Sequence, residues 1–346
     1  MRLRGISERK SPILRSLLIV AFVNIAVMIA TGQVPASTPR LLSGERSLPQ
    51  PSIAEDSRDV INLNTDLVSV TVSVTDRGGT AIAGLRKEDF KVYDDKVEQT
   101  ITYFSDEDAP TSIGIVFDTS GSMSGSAFER AREALTHFIQ TSHPRDEYFL
   151  IGISSSPQLL LDRTRDGQAV LDKFTYAQPH GNTALYDAVY MGVEKLVQAA
   201  YHKRAIILIS DGEENNSRYS FKKLRQKLDE SGVVVYTVRV GALPLPKSIS
   251  WMIMDPLASI SGGKAYWPRS IERMDEAFEQ MALDLRRQYS IGYRPANFVA
   301  DGKRHKLKVV LTPAPERARE LIVRYREAYY ANPKFTARYD REEILR

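Results

Sequence analysis

Residues 67–79, LVSVTVSVTDRGG, alternate strictly, with Val68, Val70, Val72 and Val74 on one side and Ser69, Thr71, Ser73 and Thr75 on the other. A period of two with a single apolar face predicts an antiparallel strand buried on one side, closed by a turn at Asp76–Gly79. FKVYDDKVEQTITYF (90–104) reads as two more short strands around an Asp94-Asp95 turn, so residues 60–107 read as all-β. From Thr111 the pattern changes. SIGIVFD (112–118), YFLIGIS (148–154), RAIILISD (204–211) and GVVVYTVRVG (232–241) are apolar on both faces, as central parallel strands are. Helical spacing lies between them in Phe128, Ala131, Leu135, Phe138 and Ile139, in Leu185, Val189, Val193, Leu196 and Val197, and in Phe221, Leu224 and Leu228. A last helix carries Ile271, Met274, Phe278, Met281 and Leu285, with Ser270 as its expected N-cap.

Strands alternating with helices predict a doubly wound, Rossmann-like α/β domain over 108–287. After Arg287 the β pattern returns in QYSIGYRP, RHKLKVVLT and ELIVRYREAYY. Two β segments, 60–107 and 288–332, are each too small to bury a core alone. They are expected to pair into one β-sandwich with the α/β domain inserted between them, followed by a solvated tail at 333–346.

Arg2, Arg4, Arg9, Lys10 and Arg15 against Glu8 account for the whole formal net charge of +4. The rest of the chain is neutral, so it lacks the basic excess of a non-specific nucleic-acid binder. That basic start precedes an apolar run from Leu17 to Ala30 and small residues at Val34-Pro35-Ala36, the arrangement of an export signal over 1–36. A signal retained as a membrane anchor is the rival reading, and either one places the body outside the cytoplasm, secreted or periplasmic. Residues 37–59, rich in Ser, Pro and charge, read as a linker. With no cysteine in 346 residues, disulfides, thiolate zinc sites and cysteine nucleophiles are excluded. The five histidines (137, 143, 180, 202 and 305) show no metal-ligand spacing.

In a doubly wound sheet, ligands bind at the carboxyl ends of the strands. Three polar loops fall there: Asp118, Ser120 and Ser122 after the first parallel strand, Thr183 in GNTALYD, and Asp211 in SDGEEN. Three hydroxyls and two carboxylates form an all-oxygen set that suits Mg²⁺, Mn²⁺ or Ca²⁺ rather than Zn²⁺ or Cu²⁺. If the hydroxyls touch the ion and the carboxylates act through hydrogen bonds or water, the ion keeps much of its charge and seeks an anionic oxygen from outside. Glu213 and Glu214 read as solvated loop residues. Asp187 admits two readings, steering the site's waters or a surface role. Trp251 and Trp267 read as packing under the sheet edge.

Asp118-x-Ser120-x-Ser122 with Thr183 and Asp211 resembles the metal-ion-dependent adhesion site of von Willebrand factor type A domains. The flanks GLRKEDFKVYDDKVEQTITYF and LRRQYSIGYRP further resemble a family of exported bacterial proteins related to that domain. The resemblance implies direct ligation by Ser120, Ser122 and Thr183, indirect roles for Asp118 and Asp211, and a partner protein's Asp or Glu completing the shell. It also implies a non-enzymatic, divalent-metal-dependent adhesion or scaffolding module. The alternative is a metal-dependent hydrolase or phosphatase with Asp118 as nucleophile, although the second aspartate usual two positions on is Ser120 here.

Overall fold

The computed structural model describes residues 67–123, 126–175, 181–240, 249–268, 270, 273–296, 298–312 and 321–331, with backbone alone at 122, 126, 127, 175 and 249. The export segment, the linker, residues 60–66, His180, Ile271 and the tail therefore lie outside the described residues.

The strands before the helices are β1 (Val68–Thr75), β2 (Phe90–Asp94), β3 (Val97–Gln99) and β4 (Ile101–Ser105). The α/β body follows: β5 (Thr111–Asp118), α1 (Ser126–Thr141), β6 (Glu147–Ile153), β7 (Gln158–Thr164), α2 (Gly167–Thr175), α3 (Leu185–Val197) and β8 (Lys203–Ser210). It continues through α4 (Phe221–Ser231), β9 (Val234–Arg239), α5 (Ile249–Ser261), β10 (Ala265–Tyr266) and α6 (Met274–Arg286). The chain then adds β11 (Tyr289–Tyr293), β12 (Arg304–Leu311), β13 (Ile322–Arg324) and β14 (Ala328–Tyr330).

The body's sheet has the order β10-β9-β8-β5-β6-β7. Its strands run parallel except β7, which is antiparallel to β6 at the edge. β5 is buried at every position because helices cover both of its faces. On one side Phe128, Leu135 and Phe138 of α1, Phe174 of α2 and Phe278 and Met281 of α6 form one buried cluster with Ile115 and Phe117, in which Phe128 and Phe174 meet Phe117 and Phe278 meets Phe138. On the other, Val189 and Val193 of α3, Leu224 of α4 and Leu257 of α5 form a second buried cluster with Val116, Ile206 and Leu208. Each fully buried side chain of this size contributes roughly 1.5–3 kcal/mol, so these two layers hold the loops above them rigidly.

The flanks interleave. One four-stranded sheet has the order β13-β1-β11-β4 and a second β14-β12-β2-β3. Val70 stands opposite Ile291 and Val92 opposite Val309, and their side chains meet between the sheets with Phe90, Ile101, Tyr289 and Tyr293. Strands from before and after the α/β body thus complete each other's sheets, as two small apolar faces must.

Four local expectations are corrected. The 90–104 segment makes three strands, because after β3 the chain crosses from one sheet to the other, and its turn is Asp95-Lys96, both left-handed at φ 45° and 75°. Ser73 and Thr75 are buried although they lie on the polar side of β1, since β13 pairs with that end and Arg324 Nη1 donates to Thr75 Oγ1 at 3.1 Å. β7, α2 and α5 are additional elements; β7 alternates only weakly because most of it is exposed or half-buried. Ser270 does not cap the last helix, which starts at Met274 after Arg273 and has no side-chain cap bond.

Candidate metal centre

β5 ends at Asp118, whose side chain is fully buried. Its Oδ1 accepts the Ser120 N–H at 2.9 Å, and its Oδ2 accepts the Ser210 hydroxyl at 2.5 Å. Ser210 Oγ in turn accepts the Gly212 N–H at 2.9 Å, so a single hydroxyl joins the ends of β5 and β8. Burial lifts the Asp118 carboxyl to about 6, against the lowering effect of the Ser120 and Ser210 hydrogen bonds, while the negative charge of Asp211 adds to the rise. Ser120 is buried, and its hydroxyl as well as its N–H bonds Asp118. Ser122 lies in a short 3₁₀ turn, Gly121–Met123, that its backbone helps form. Its side chain lies outside the described residues.

Thr183 is buried, and the third loop is tied to it directly. Its N–H donates to Asn215 Oδ1 at 2.9 Å, and its carbonyl accepts the N–H groups of Asn215 and Asn216, both at 3.1 Å. The Gly121 N–H donates to the Gly181 carbonyl at 3.2 Å, linking the Asp118 loop to the Thr183 loop. A fourth loop, after β6, serves as their hub: Ser155 Oγ accepts the Asn182 N–H at 3.1 Å and the Ser155 carbonyl accepts Asn216 Nδ2 at 2.5 Å. Thr183 does not cap α3, because the helix's N-cap position is Ala184.

Gly212 follows Asp211 with φ at 86°, and a Cβ there would stand 2.3 Å from Ser250 Cβ. Glycine is required by both the backbone angle and the close approach of α5. Asp211 itself is half-buried, and its Oδ1 accepts the Glu213 N–H at 3.1 Å. Arg239, at the end of the neighbouring β9, has its proton loosened by burial and held by the charge of Asp211.

Two acidic residues have roles that sequence reading missed. Glu214 is no free loop residue: its Oε2 accepts the Tyr186 N–H at 2.9 Å and the Ser217 hydroxyl at 2.7 Å, which places a carboxylate at the positive end of α3. Asp187 is buried and accepts the N–H groups of Arg218 and Tyr219 at 3.0 and 2.9 Å, so it fixes the chain beyond the site rather than facing water. Its partners stand 31 and 32 residues away, where no local motif could reveal them. Trp251 stacks on Trp267 at 4.7 Å, but it is 42% exposed and does not pack under the sheet.

The carboxyl edge of the parallel sheet therefore gathers Asp118, Ser120, Thr183 and Asp211 on three hydrogen-bonded loops. Oxygen donors from neutral hydroxyls backed by carboxylates fit a hard divalent cation.

A family model for the von Willebrand factor type A domain matches residues 113–214, a span that contains Asp118, Ser120, Ser122, Thr183 and Asp211. The chain is 26% identical over 180 residues to inter-alpha-trypsin inhibitor heavy chain H4 of Homo sapiens, covering 48% of this chain and 19% of that protein. To inter alpha-trypsin inhibitor, heavy chain 4, of Mus musculus it is 29% identical over 128 residues, covering 33% and 14%. These matches span no more than a fifth of the relatives' own length. A solved structure, von Willebrand factor type A from Catenulispora acidiphila, aligns over 77% of this chain and 72% of that one with a TM-score of 0.44 and 14% identity.

Proposed function

The chain carries a von Willebrand factor type A domain, and we propose that it is a non-enzymatic adhesion or scaffolding module that grips a partner protein's Asp or Glu through a divalent cation. Ser120, Ser122 and Thr183 would hold the ion directly, with Asp118 and Asp211 behind them. Mg²⁺ is the expected ion, with Mn²⁺ or Ca²⁺ as substitutes. When bound, it supplies a positive centre whose remaining coordination position takes an anionic oxygen from outside.

One observation carries this reading. Both oxygens of the buried Asp118 carboxylate already accept hydrogen bonds, from Ser120 and from Ser210. A carboxylate so engaged orients hydroxyl ligands instead of neutralising the ion, and the ion keeps its pull on an external acid. The same burial argues against the hydrolase alternative, since a nucleophile needs a free oxygen facing its substrate.

The basic start and the Leu17–Ala30 apolar run support a location outside the cytoplasm. No helix among the described residues is long and apolar enough to cross a membrane.

Calorimetry of the chelator-stripped full chain tests the metal. We expect Mg²⁺ and Mn²⁺ binding by the wild type and at least a tenfold loss in Thr183→Ala. Equal binding by both would remove the assignment. An acidic peptide or protein partner captured only without chelator tests the second half.

A further inference from the structure

The geometry points to a second divalent-metal site, in the β-sandwich and made of Asp94, Asp95 and His305, with zinc as the ion it suits best. The sequence separates the acidic pair from the histidine by the whole α/β body. Pairing of β12 with β2 and β14 brings them together: Leu307 stands opposite Asp94, and His305 opposite Tyr329.

Each carboxylate gives one oxygen to fixed donors and turns the other toward the imidazole. Asp94 Oδ2 accepts the hydroxyls of Tyr293 and Tyr329 at 2.9 and 2.7 Å, and its Oδ1 lies 3.6 Å from His305 Nδ1. Asp95 Oδ1 accepts the Lys306 N–H at 2.9 Å, and its Oδ2 lies 3.0 Å from the same nitrogen. The three ligand atoms lie within 4.8 Å of one another. Zinc bonds of about 2.0–2.2 Å at tetrahedral angles set neighbouring ligand atoms roughly 3.3–3.6 Å apart, close to the two distances found.

The Asp94 side chain is only 6% exposed, yet its Oδ1 is buried with no hydrogen-bond partner, and so is His305 Nε2. Buried polar atoms are rarely left so. A proton on His305 Nδ1 would serve Asp95 alone and leave Asp94 Oδ1 orphaned. A cation between the three atoms takes the Nδ1 lone pair and both free carboxylate oxygens. It also leaves the Nε2–H facing Asp301 Oδ1, 3.8 Å away, as the outer carboxylate that orients a ligating imidazole. The His305 ring is held in that orientation by stacking on Tyr329 at 5.2 Å.

One nitrogen and two oxygens favour Zn²⁺ over Mg²⁺ and Ca²⁺, which prefer all-oxygen sites. Asp95, 52% exposed, leaves one side open to water. The ion would clip the end of β2 and the β2–β3 turn to β12 and so tie a strand before the α/β body to one after it. This site stands independently of the metal centre on the α/β sheet.

The test is Zn²⁺ titration of the chelator-stripped full chain in excess Mg²⁺, by calorimetry and thermal unfolding. The wild type and Thr183→Ala should each bind one Zn²⁺ equivalent and melt higher with Zn²⁺. His305→Gln and Asp95→Asn should lose at least tenfold in Zn²⁺ affinity and the Zn²⁺-dependent rise in Tm. Asp301→Asn should weaken binding about tenfold. If His305→Gln does not fold, Asp95→Asn, on the exposed turn, carries the test alone. Absence of the Zn²⁺ equivalent in the wild type, or equal binding by the wild type and the ligand variants, overturns the proposal.

Discussion

Asp284, near the end of α6 and almost fully buried, accepts the guanidinium of Arg324 on β13 at 3.3 Å and the Tyr266 hydroxyl at 2.7 Å. One ion pair therefore pins the last helix of the α/β body to the sandwich. Burial raises the Asp284 carboxyl, and Tyr266, Arg324 and Lys264 hold it down. Removing one partner of a buried pair leaves an uncompensated charge and typically costs about 3–5 kcal/mol, at least about three times the roughly 1 kcal/mol that an exposed pair's removal could reach. Arg324→Ala is expected to destabilise the chain by about 3 kcal/mol. A double-mutant cycle with Asp284→Ala in urea unfolding should show coupling above about 1 kcal/mol; additive effects would contradict the tie.

Ser210→Ala removes the hydroxyl that donates to Asp118 Oδ2 and accepts from Gly212. A buried carboxylate oxygen and a buried N–H lose their partners, which costs about 1–3 kcal/mol. Unfolding of the metal-free chain should show that loss, and Mg²⁺ affinity should fall with it. A stability unchanged within error would show that this relay is not needed.

Glu213 and Glu214 are neighbours with opposite expectations. Glu214→Ala strips acceptors from Tyr186, Asn216 and Ser217, so a destabilisation of about 1–2 kcal/mol and a severalfold loss of Mg²⁺ affinity are expected. Glu213 is exposed, and Glu213→Ala should stay within about 0.5 kcal/mol of wild type. Similar effects from the two substitutions would refute the assignment.

Asp146 accepts the Thr111 N–H at 2.7 Å and the His143 N–H at 3.0 Å, and burial lifts its carboxyl from 3.8 to about 6. Its folded-state value lies above the unfolded one, so the folded chain holds the extra proton between the two. The stability this group contributes is full below about 3.8 and is lost as pH rises through about 6. Its share of the slope is at most about 1.4 kcal/mol per pH unit. Urea unfolding from pH 4 to 6 should therefore give a shallower decline for Asp146→Asn than for wild type; identical slopes would show that the carboxyl is not perturbed.

The α/β body as an inserted unit predicts that the fragment 108–287 folds cooperatively alone. Its ends are joined by Asp108 and Arg286, whose Nη2 lies 2.6 Å from the carboxylate. Circular dichroism and a single unfolding transition check this, and a fragment that stays unfolded removes the independence of the insert.

The alternating valines of β1, the doubly apolar strands and the spaced hydroxyls and carboxylates of the strand-end loops are local signals. They sufficed for the layers of the fold and for the residues from which a metal centre could be built. Strand β7 and helices α2 and α5 were not legible in the same way: β7 is an exposed edge, α2 is only nine residues long, and α5 carries Pro256 inside it, a residue that ordinarily breaks a helix. That Ser210 reaches the second oxygen of Asp118, what Glu214 and Asp187 hold, and that Asp94 meets His305 were decided only by the tertiary structure. Hydrogen-bond partners and ligand distances depend on strand pairing between residues far apart in the chain, and no local pattern encodes that pairing.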